Sequence, residues 1–236
     1  MKTSVVFLFL VLGAFWAPLG FAQPAREVPV GDFRKLTLQG NLRVELTGGD
    51  QAQVQVFGTP AELDEVTVSA SGKELTLKTN YTDGLFEKDQ ANRRRPIRVL
   101  ITYVALTGLH TGRGAEVRFQ SVVTADDLAV EVHSGSRLKM DVQATSLRLE
   151  VGEGGQANVS GRATVQKTTV STGGELNAED LESEVVNIRA NTGAVAQVSA
   201  SKSIDASAGT GGSIRYRGRP AKRAINTTLG GSVNQL

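Results

Sequence analysis

Two glutamates, Glu131 and Glu150, have a spacing that would suit a catalytic carboxylate pair. They are nineteen residues apart, and in a chain that coils with that period they lie on neighbouring strands, about 5 Å apart. Retaining glycosidases hold their two carboxyl groups at that separation. No aromatic side chain that could stack on a sugar accompanies them in outward positions, and Arg148 stands beside them. We therefore favour an exposed, solvated pair and keep a polysaccharide-active enzyme as the alternative.

Basic residues are the second group that could do chemistry, by binding anions. One interpretation is that their positive charge prevents exposed strand edges from pairing with other chains. The other is contact with anionic envelope material, either a glycan or a glycolipid, or with a surface protein. Both interpretations apply to two clusters: Arg93, Arg94, Arg95 and Arg98, and then Arg215, Arg217, Arg219, Lys222 and Arg223.

Metal and nucleophile chemistry find little support in the sequence. The chain has no cysteine, and its two histidines, His110 and His133, lack the H-x-x-x-H spacing of zinc proteins. No Gly-x-Ser-x-Gly elbow occurs. The glycine-rich turns lead into no helix, so they do not resemble phosphate loops. We predict no cofactor, no metal and no catalytic residue, and hence a chain that is not an enzyme.

The elements that position these residues follow from a repeat. A glycine recurs at positions 114, 135, 154, 173, 193, 211 and 230, in steps of 18 to 21 residues. Counted from that glycine, apolar residues stand at plus three and plus five, and a second apolar set stands at minus seven, minus five and minus three. The first set comprises Val117/Phe119, Leu138/Met140, Ala157/Val159, Leu176/Ala178, Ala196/Val198 and Ile214/Tyr216. Self-similarity at a near-fixed period is typical of a solenoid.

The positions between the apolar residues are polar, as alternating strands require. Plus four holds Arg118, Lys139, Asn158, Asn177, Gln197, Arg215 and Asn234. Within this column the three consecutive amides suggest a stacked ladder, a stabilising device first and a binding surface second. The pattern predicts an all-β fold, a right-handed parallel β-helix of about six coils of roughly nineteen residues.

The remaining segments complete the predicted organisation. Residues 1–22 read as a secretory signal peptide, with Lys2 before an apolar run, and 23–32 as a short mobile leader. Residues 33–78 are expected to form antiparallel strands that cap the first coil, 79–96 an irregular loop, and 97–236 the coils. No transmembrane span follows the signal. Without Lys2 the chain has 25 basic and 24 acidic residues, a balance that argues against nucleic-acid binding.

Several of these segments resemble a known family. They are the N-terminal alternation, the stretch Ile101–Leu106, and the terminal Tyr216, Gly218 and Pro220 of a Tyr-x-Gly-x-Pro sequence. Together they resemble the DUF2807 family, also called the putative auto-transporter adhesin head GIN domain, over roughly residues 33–233. Members of the family favour Gly-Ser-Gly at the turns and a proline at the position of Val104, and this chain differs from the family at both places. The resemblance implies an exported bacterial β-helix domain without assigned activity.

Together these observations predict an exported, non-catalytic envelope domain in the periplasm or on the outer surface of a bacterium. It would bind through its β-helix faces and its Arg-rich ends. Two alternatives remain open: an enzyme that uses Glu131 and Glu150, and a structural protein that works by self-association.

Overall fold

The computed structural model describes residues 25–79 and 95–236, of which 68% belong to β-strands and 3% to a helix. The first part contains β1 (Ala25–Val28), β2 (Lys35–Gln39), β3 (Leu42–Gly48), β4 (Gln53–Phe57), α1 (Pro60–Glu65), β5 (Val66–Ser71) and β6 (Glu74–Thr79). The second contains β7 (Ile97–Tyr103), β8 (Gly108–Gly112), β9 (Glu116–Phe119), β10 (Val123–Val132), β11 (Arg137–Val151), β12 (Gln156–Val170), β13 (Glu175–Ala190), β14 (Val195–Ala208), β15 (Ser213–Arg217), β16 (Lys222–Thr227) and β17 (Ser232–Gln235).

From β8 onward each strand pairs in parallel with the strand one repeat further along the chain. Leu138 lies opposite Ala157, and Ala157 opposite Leu176, so the register follows the repeat. Inward residues of these strands are buried; Leu138, Leu147, Ile188 and Ile214 are each at most 2% exposed. The predicted parallel β-helix is therefore confirmed. Its handedness stays a prediction.

Two further inward columns complete the interior between the two predicted ones. In the first, Val142 and Leu181 lie on either side of Gly161 and are 0% exposed. The second holds Ala144, Ala163, Ser183 and Ala200, all of them buried. Val123 already begins β10 and is buried, so residues 123–127 belong to a strand and not to a turn between the predicted columns.

The coils turn at corners that the repeated glycines form. At each corner the glycine and the residue before it both have positive φ, as Thr172 at 51° and Gly173 at 68° do. Gly174 N–H then donates to the Ser171 carbonyl at 2.9 Å, which closes a turn of the type I′ pattern. Seven such corners are described, so the solenoid has about seven turns where about six coils were predicted.

The N-terminal end departs from a simple cap. Strands β4 and β5 are antiparallel to β7 and β6 respectively, as predicted for residues 33–78. However, β2 pairs in parallel with both β6 and β8, and β3 with both β7 and β9. These two strands are thus a rung inside the solenoid, because their apolar residues alternate inward as in the later coils.

Residues assigned to a mobile leader are in part ordered. Ala25–Val28 forms β1, which pairs antiparallel with β4, and Arg26 Nη2 donates to the Val66 carbonyl at 2.9 Å. The leader prediction is wrong for these residues because main-chain pairing with β4 fixes them. The predicted signal peptide and almost all of the predicted loop at 79–96 lie outside the described residues. No helix in the described ranges has the length and apolarity needed to cross a membrane.

One polar patch interrupts the apolar interior. Gln166 occupies an inward position and is 0% exposed. Its Nε2 donates to Thr168 Oγ1 at 3.0 Å, and its Oε1 accepts from Ser183 Oγ at 2.9 Å. Both ends of the amide are therefore satisfied, which makes its burial tolerable.

Candidate functional site

Two outward columns run side by side on the strands that follow the corners. The plus-two column holds Arg43, Glu116, Arg137, Gln156, Glu175, Val195, Ser213 and Ser232. The plus-four column, which we call the polar track, holds Glu45, Arg118, Lys139, Asn158, Asn177, Gln197, Arg215 and Asn234. Each residue of a column lies directly opposite the next, on the neighbouring parallel strand.

The plus-two column is linked internally. Glu116 accepts from Arg43 at 3.1 Å and pairs with Arg137 at 3.5 Å. Arg137 Nε donates to Gln156 Oε1 at 3.2 Å, and Gln156 Nε2 donates to Glu175 Oε2 at 3.3 Å. From β3 to β13, its side chains therefore satisfy one another, and this column acts as a structural ladder.

The polar track is not linked in this way. Arg118 lies opposite Lys139, and within the described ranges neither side chain has a hydrogen bond or an ion pair. Asn158 and Gln197 also have none, and Asn177 only accepts from the Glu179 N–H at 3.3 Å. The amides are stacked as predicted but do not bond to one another. Apart from the Asn177 Oδ1, their donors and acceptors are thus free for a ligand.

Shallow grooves follow the track. One, of about 480 Å³, is lined by Arg118, Lys139 and Asn158 together with residues of the plus-two column. The next, of about 340 Å³, continues from Asn158 past Asn177 to Gln197. Since the two share Asn158, the exposed surface along the track is continuous.

The first predicted basic cluster lies at the beginning of the track. Arg98 pairs with Glu45 at 3.4 Å, and its guanidinium lies 5.6 Å from the centre of the Phe57 ring. Arg95 is exposed just before β7. Arg93 and Arg94 lie outside the described residues. Of the two members that the structure describes, Arg98 contacts the track and Arg95 does not.

The second predicted cluster is divided by the structure. Arg215 belongs to the track, opposite Gln197. Arg217 is neutralised by Glu179 at 3.4 Å and Asp180 at 3.8 Å. The other three, Arg219, Lys222 and Arg223, are exposed in β16 and the loop before it. They lie at the opposite end from Arg98 and do not form one site with Arg215.

The predicted carboxylate pair lies on a different outward face, on the strands that precede the corners. Glu131 and Glu150 are direct neighbours in register. Glu131 Oε2 is 2.9 Å from His110 Nδ1, and Glu150 Oε1 is 4.0 Å from His133 Nε2. The sequence interpretation treated the histidines as isolated, although the position of His110 at minus four, in the same column as Glu131, could have revealed the contact.

Beside this pair lies a further groove, of about 670 Å³. Arg148 and Lys167 line it and lie opposite each other, again without an ion pair in the described part of the chain. Glu150 and Asp205 line the same groove, so acidic groups accompany these cations. Across the described ranges, no three His, Asp or Glu side chains are grouped so that they could hold a metal ion.

Comparison with known families identifies the chain. Residues 32–220 match the family model described as "Putative auto-transporter adhesin, head GIN domain", DUF2807. The chain belongs to the DUF2807 family. The resemblance seen in the sequence is thereby confirmed. A search of curated proteins finds no match to this DUF2807 chain.

Solved structures share the fold of this DUF2807 chain. A putative adhesin from Bacteroides fragilis superposes with a TM-score of 0.81 at 19% identity, over 92% of this chain and 98% of the other. A putative adhesin from Parabacteroides distasonis gives 0.68 at 16% identity, over 91% and 97%. A putative lipid binding protein from the same species gives 0.63 at 18%, over 91% and 96%. At these identities the likeness establishes the fold. The family and the first two neighbours are adhesin-like.

Proposed function

We propose that this chain is an exported, non-catalytic envelope domain that works as an adhesin-type binding module and holds its ligand along the polar track. The observation that carries the proposal is the contrast between two neighbouring columns. The plus-two column pairs its own side chains, whereas the track leaves two opposed cations, Arg118 and Lys139, and three amides without mutual bonds.

That contrast has an energetic meaning. Like charges directly opposite each other on neighbouring strands are destabilising, and an anion placed between them removes the repulsion. Exposed amides that do not bond to each other contribute little to the stability of the fold, since water already satisfies them. Arginine is also enriched where proteins meet partners. A ligand is therefore the simplest use for this set of side chains.

The proposed location is the periplasm or the outer surface of a bacterial cell. The basic start and apolar run of residues 1–22 support export, and membership of an adhesin-like family supports work at the envelope. The open grooves along the track suit a large partner that lies on the surface rather than a small molecule enclosed in a pocket.

The test uses charge reversal with a matched control. The full chain is expressed so that it is exported, in two variants. The first carries Arg118→Glu and Lys139→Glu, and the second carries Arg148→Glu and Lys167→Glu. Both pairs consist of opposed, unpaired cations, and both variants change the net charge equally. We expect cosedimentation with isolated cell envelopes to be lost in the first variant and kept in the second. Equal loss in both, or loss in neither, refutes the track as the binding surface.

An enzyme using Glu131 and Glu150 is the second candidate, favoured by their adjacent register and by a histidine beside each carboxylate. In a retaining mechanism one carboxyl would protonate the leaving oxygen and the other would attack the sugar. Release of reducing sugar from envelope polysaccharide, lost in Glu131→Gln with Glu150→Gln, would establish this activity and displace the binding proposal. If the wild-type chain releases no reducing sugar, the enzyme hypothesis is refuted.

A further inference from the structure

We infer that the ligand of the polar track is a linear acidic polysaccharide that lies along the axis of the solenoid, across successive strands. This inference rests on the proposed function and adds the chemical class and the orientation of the ligand. It combines the shape of the track, the order of its side chains and what flanks them.

The shape of the track selects a polymer. Its eight residues, from Glu45 to Asn234, stand on eight neighbouring strands. At about 4.8 Å per strand the seven intervals span roughly 34 Å. A site this long and one side chain wide fits an extended chain. The rise per strand is also close to the length of one pyranose unit, so successive sugars can meet successive rungs.

The order of the side chains selects the chemistry of that polymer. The track begins with Glu45, which pairs with Arg98. Two cations, Arg118 and Lys139, come next, followed by three amides and then by Arg215 and Asn234. An amide both donates and accepts hydrogen bonds, as a sugar hydroxyl does, whereas Arg and Lys only donate and favour a carboxylate or another anion. Hydroxyls on every unit together with carboxylates at intervals define an acidic polysaccharide.

The spacing of the cations narrows the class further. Arg215 stands four strands beyond Lys139, which is about 19 Å. Glu175 lies beside the amide segment in the plus-two column and disfavours an anion there. Both cationic sites are filled by a polymer whose acidic units recur about every fourth sugar. A polymer with a carboxylate on every unit, such as polygalacturonate, also fills both sites and therefore binds, although repulsion near Glu175 lowers its affinity.

A membrane surface fits the track less well. An anionic bilayer favours a broad basic surface with exposed apolar side chains, but the plus-two column places Glu116 and Glu175 beside the track. Among the residues lining the amide groove, only Val195, at 38% exposed, is a large exposed apolar residue. Nucleic acid is disfavoured too, because no aromatic platform for stacked bases stands in the track.

The test measures binding of the purified full chain to polygalacturonate, by isothermal titration calorimetry at two salt concentrations. Dextran serves as the neutral comparator, and vesicles of phosphatidylglycerol and phosphatidylcholine as the lipid comparator. Arg118→Gln with Lys139→Gln should weaken polygalacturonate binding by about tenfold or more, since two charge-assisted contacts are lost, and should reduce its salt dependence. Arg148→Gln with Lys167→Gln should change it less than about twofold, as it removes the same charge elsewhere.

Two further measurements examine the track as a whole. Asn158→Ala with Asn177→Ala should weaken binding without changing the salt dependence, because it removes only neutral contacts. Galacturonate oligomers should gain affinity with length until they span the track. All substituted side chains are exposed, and the urea midpoint of each variant checks that the fold is unchanged.

The outcomes separate the two proposals. Equal binding of dextran, preferred binding of vesicles that depends on Arg118 and Lys139, or equal losses in the two Gln variants overturns the polysaccharide inference. If the charge-reversed track variant loses envelope binding while polygalacturonate does not bind, the ligand class is wrong and the proposed function stands. If envelope binding is also indifferent to the track, both proposals fail.

Discussion

Replacing a corner threonine by asparagine should stabilise the solenoid. Thr172, Thr192 and Thr210 precede corner glycines with φ of 51°, 55° and 49°. A β-branched residue with positive φ is strained, because its Cβ approaches the following carbonyl oxygen. All three side chains are exposed and free of hydrogen bonds in the described structure. Substitution therefore changes the backbone preference and little else.

The expected gain follows from that strain. The left-handed conformation costs an L-residue about 1–2 kcal/mol, and asparagine reduces this through local hydrogen bonds. We expect roughly 0.5–1 kcal/mol from Thr192→Asn. The main-chain bond from Gly173 N–H to the Thr192 carbonyl, 3.0 Å long, should be kept. For a chain of this size 1 kcal/mol raises Tm by about 2–4 °C, so the triple variant, at about 1.5–3 kcal/mol, should gain about 3–12 °C.

The assay is urea and thermal unfolding followed by circular dichroism. The matched control is Thr169→Asn, the same chemical change at an exposed strand position without positive φ. There asparagine should be neutral or destabilising, since it is a poor strand former. A loss of stability in Thr192→Asn as large as in Thr169→Asn would refute the argument from backbone strain.

Three more expectations concern the interior and are measured by urea midpoints. Gln166→Ala should lower the free energy of unfolding by about 3 kcal/mol, because it leaves a cavity and an unpaired Ser183 hydroxyl. Gln166→Leu should lower it clearly less, because leucine fills the space. Equal losses in the two variants would contradict this. Gly161→Ala should be far worse than Gly173→Ala, since a Cβ at Gly161 would lie 2.1 Å from a backbone oxygen whereas at Gly173 nothing lies within 4 Å; similar losses would count against the close contact. The buried hydroxyl of Tyr103 makes no hydrogen bond of good geometry. Burial raises its pKa above 10.0, and the nearby Ser121 hydroxyl lowers the pKa by a smaller amount. The tyrosine ionises at lower pH in the unfolded chain than in the folded one, so the stability that the neutral phenol contributes is complete below pH 10 and is lost as pH rises through the folded-state pKa. Tyr103→Phe should therefore be at least as stable as wild type at pH 8 and should lose less stability as the pH is raised. An equal loss of stability at alkaline pH in the variant would contradict this.

The coil geometry could be predicted because one period carries both the corner and the inward residues. Glycine at position 173 and Leu176 three residues later recur together, so local sequence alone specifies each rung. The place of β2 and β3 could not be predicted in this way. Their neighbours β6 and β7 follow an excursion through β4, α1 and β5, and alternation within a strand says which face it buries but not which strands it joins.

The sequence predicted which residues of the candidate site share one outward column, but not how their side chains bond. The plus-four column, from Arg118 to Arg215, was recognised as outward-facing, and the register confirms that its members are neighbours. The sequence could not show that Arg137 and Gln156 bond along plus two while Asn158 and its neighbours do not bond along plus four. That difference depends on side-chain rotamers, which periodicity does not determine.

The rung formed by β2 and β3 also constrains how the molecule is assembled. Residues 35–48, which contain β2 and β3, are synthesised before both of the rungs between which they lie. One of these rungs is formed by β6 and β7, and the other by β8 and β9. Rung-by-rung growth from the N-terminus is therefore impossible at this end. The early segment can pair on one side once residues 74–103 are present, but its other edge stays open until residues 108–119 follow. The later coils can form from any neighbouring pair. Until then that edge presents unpaired main-chain groups, which favour pairing with another chain.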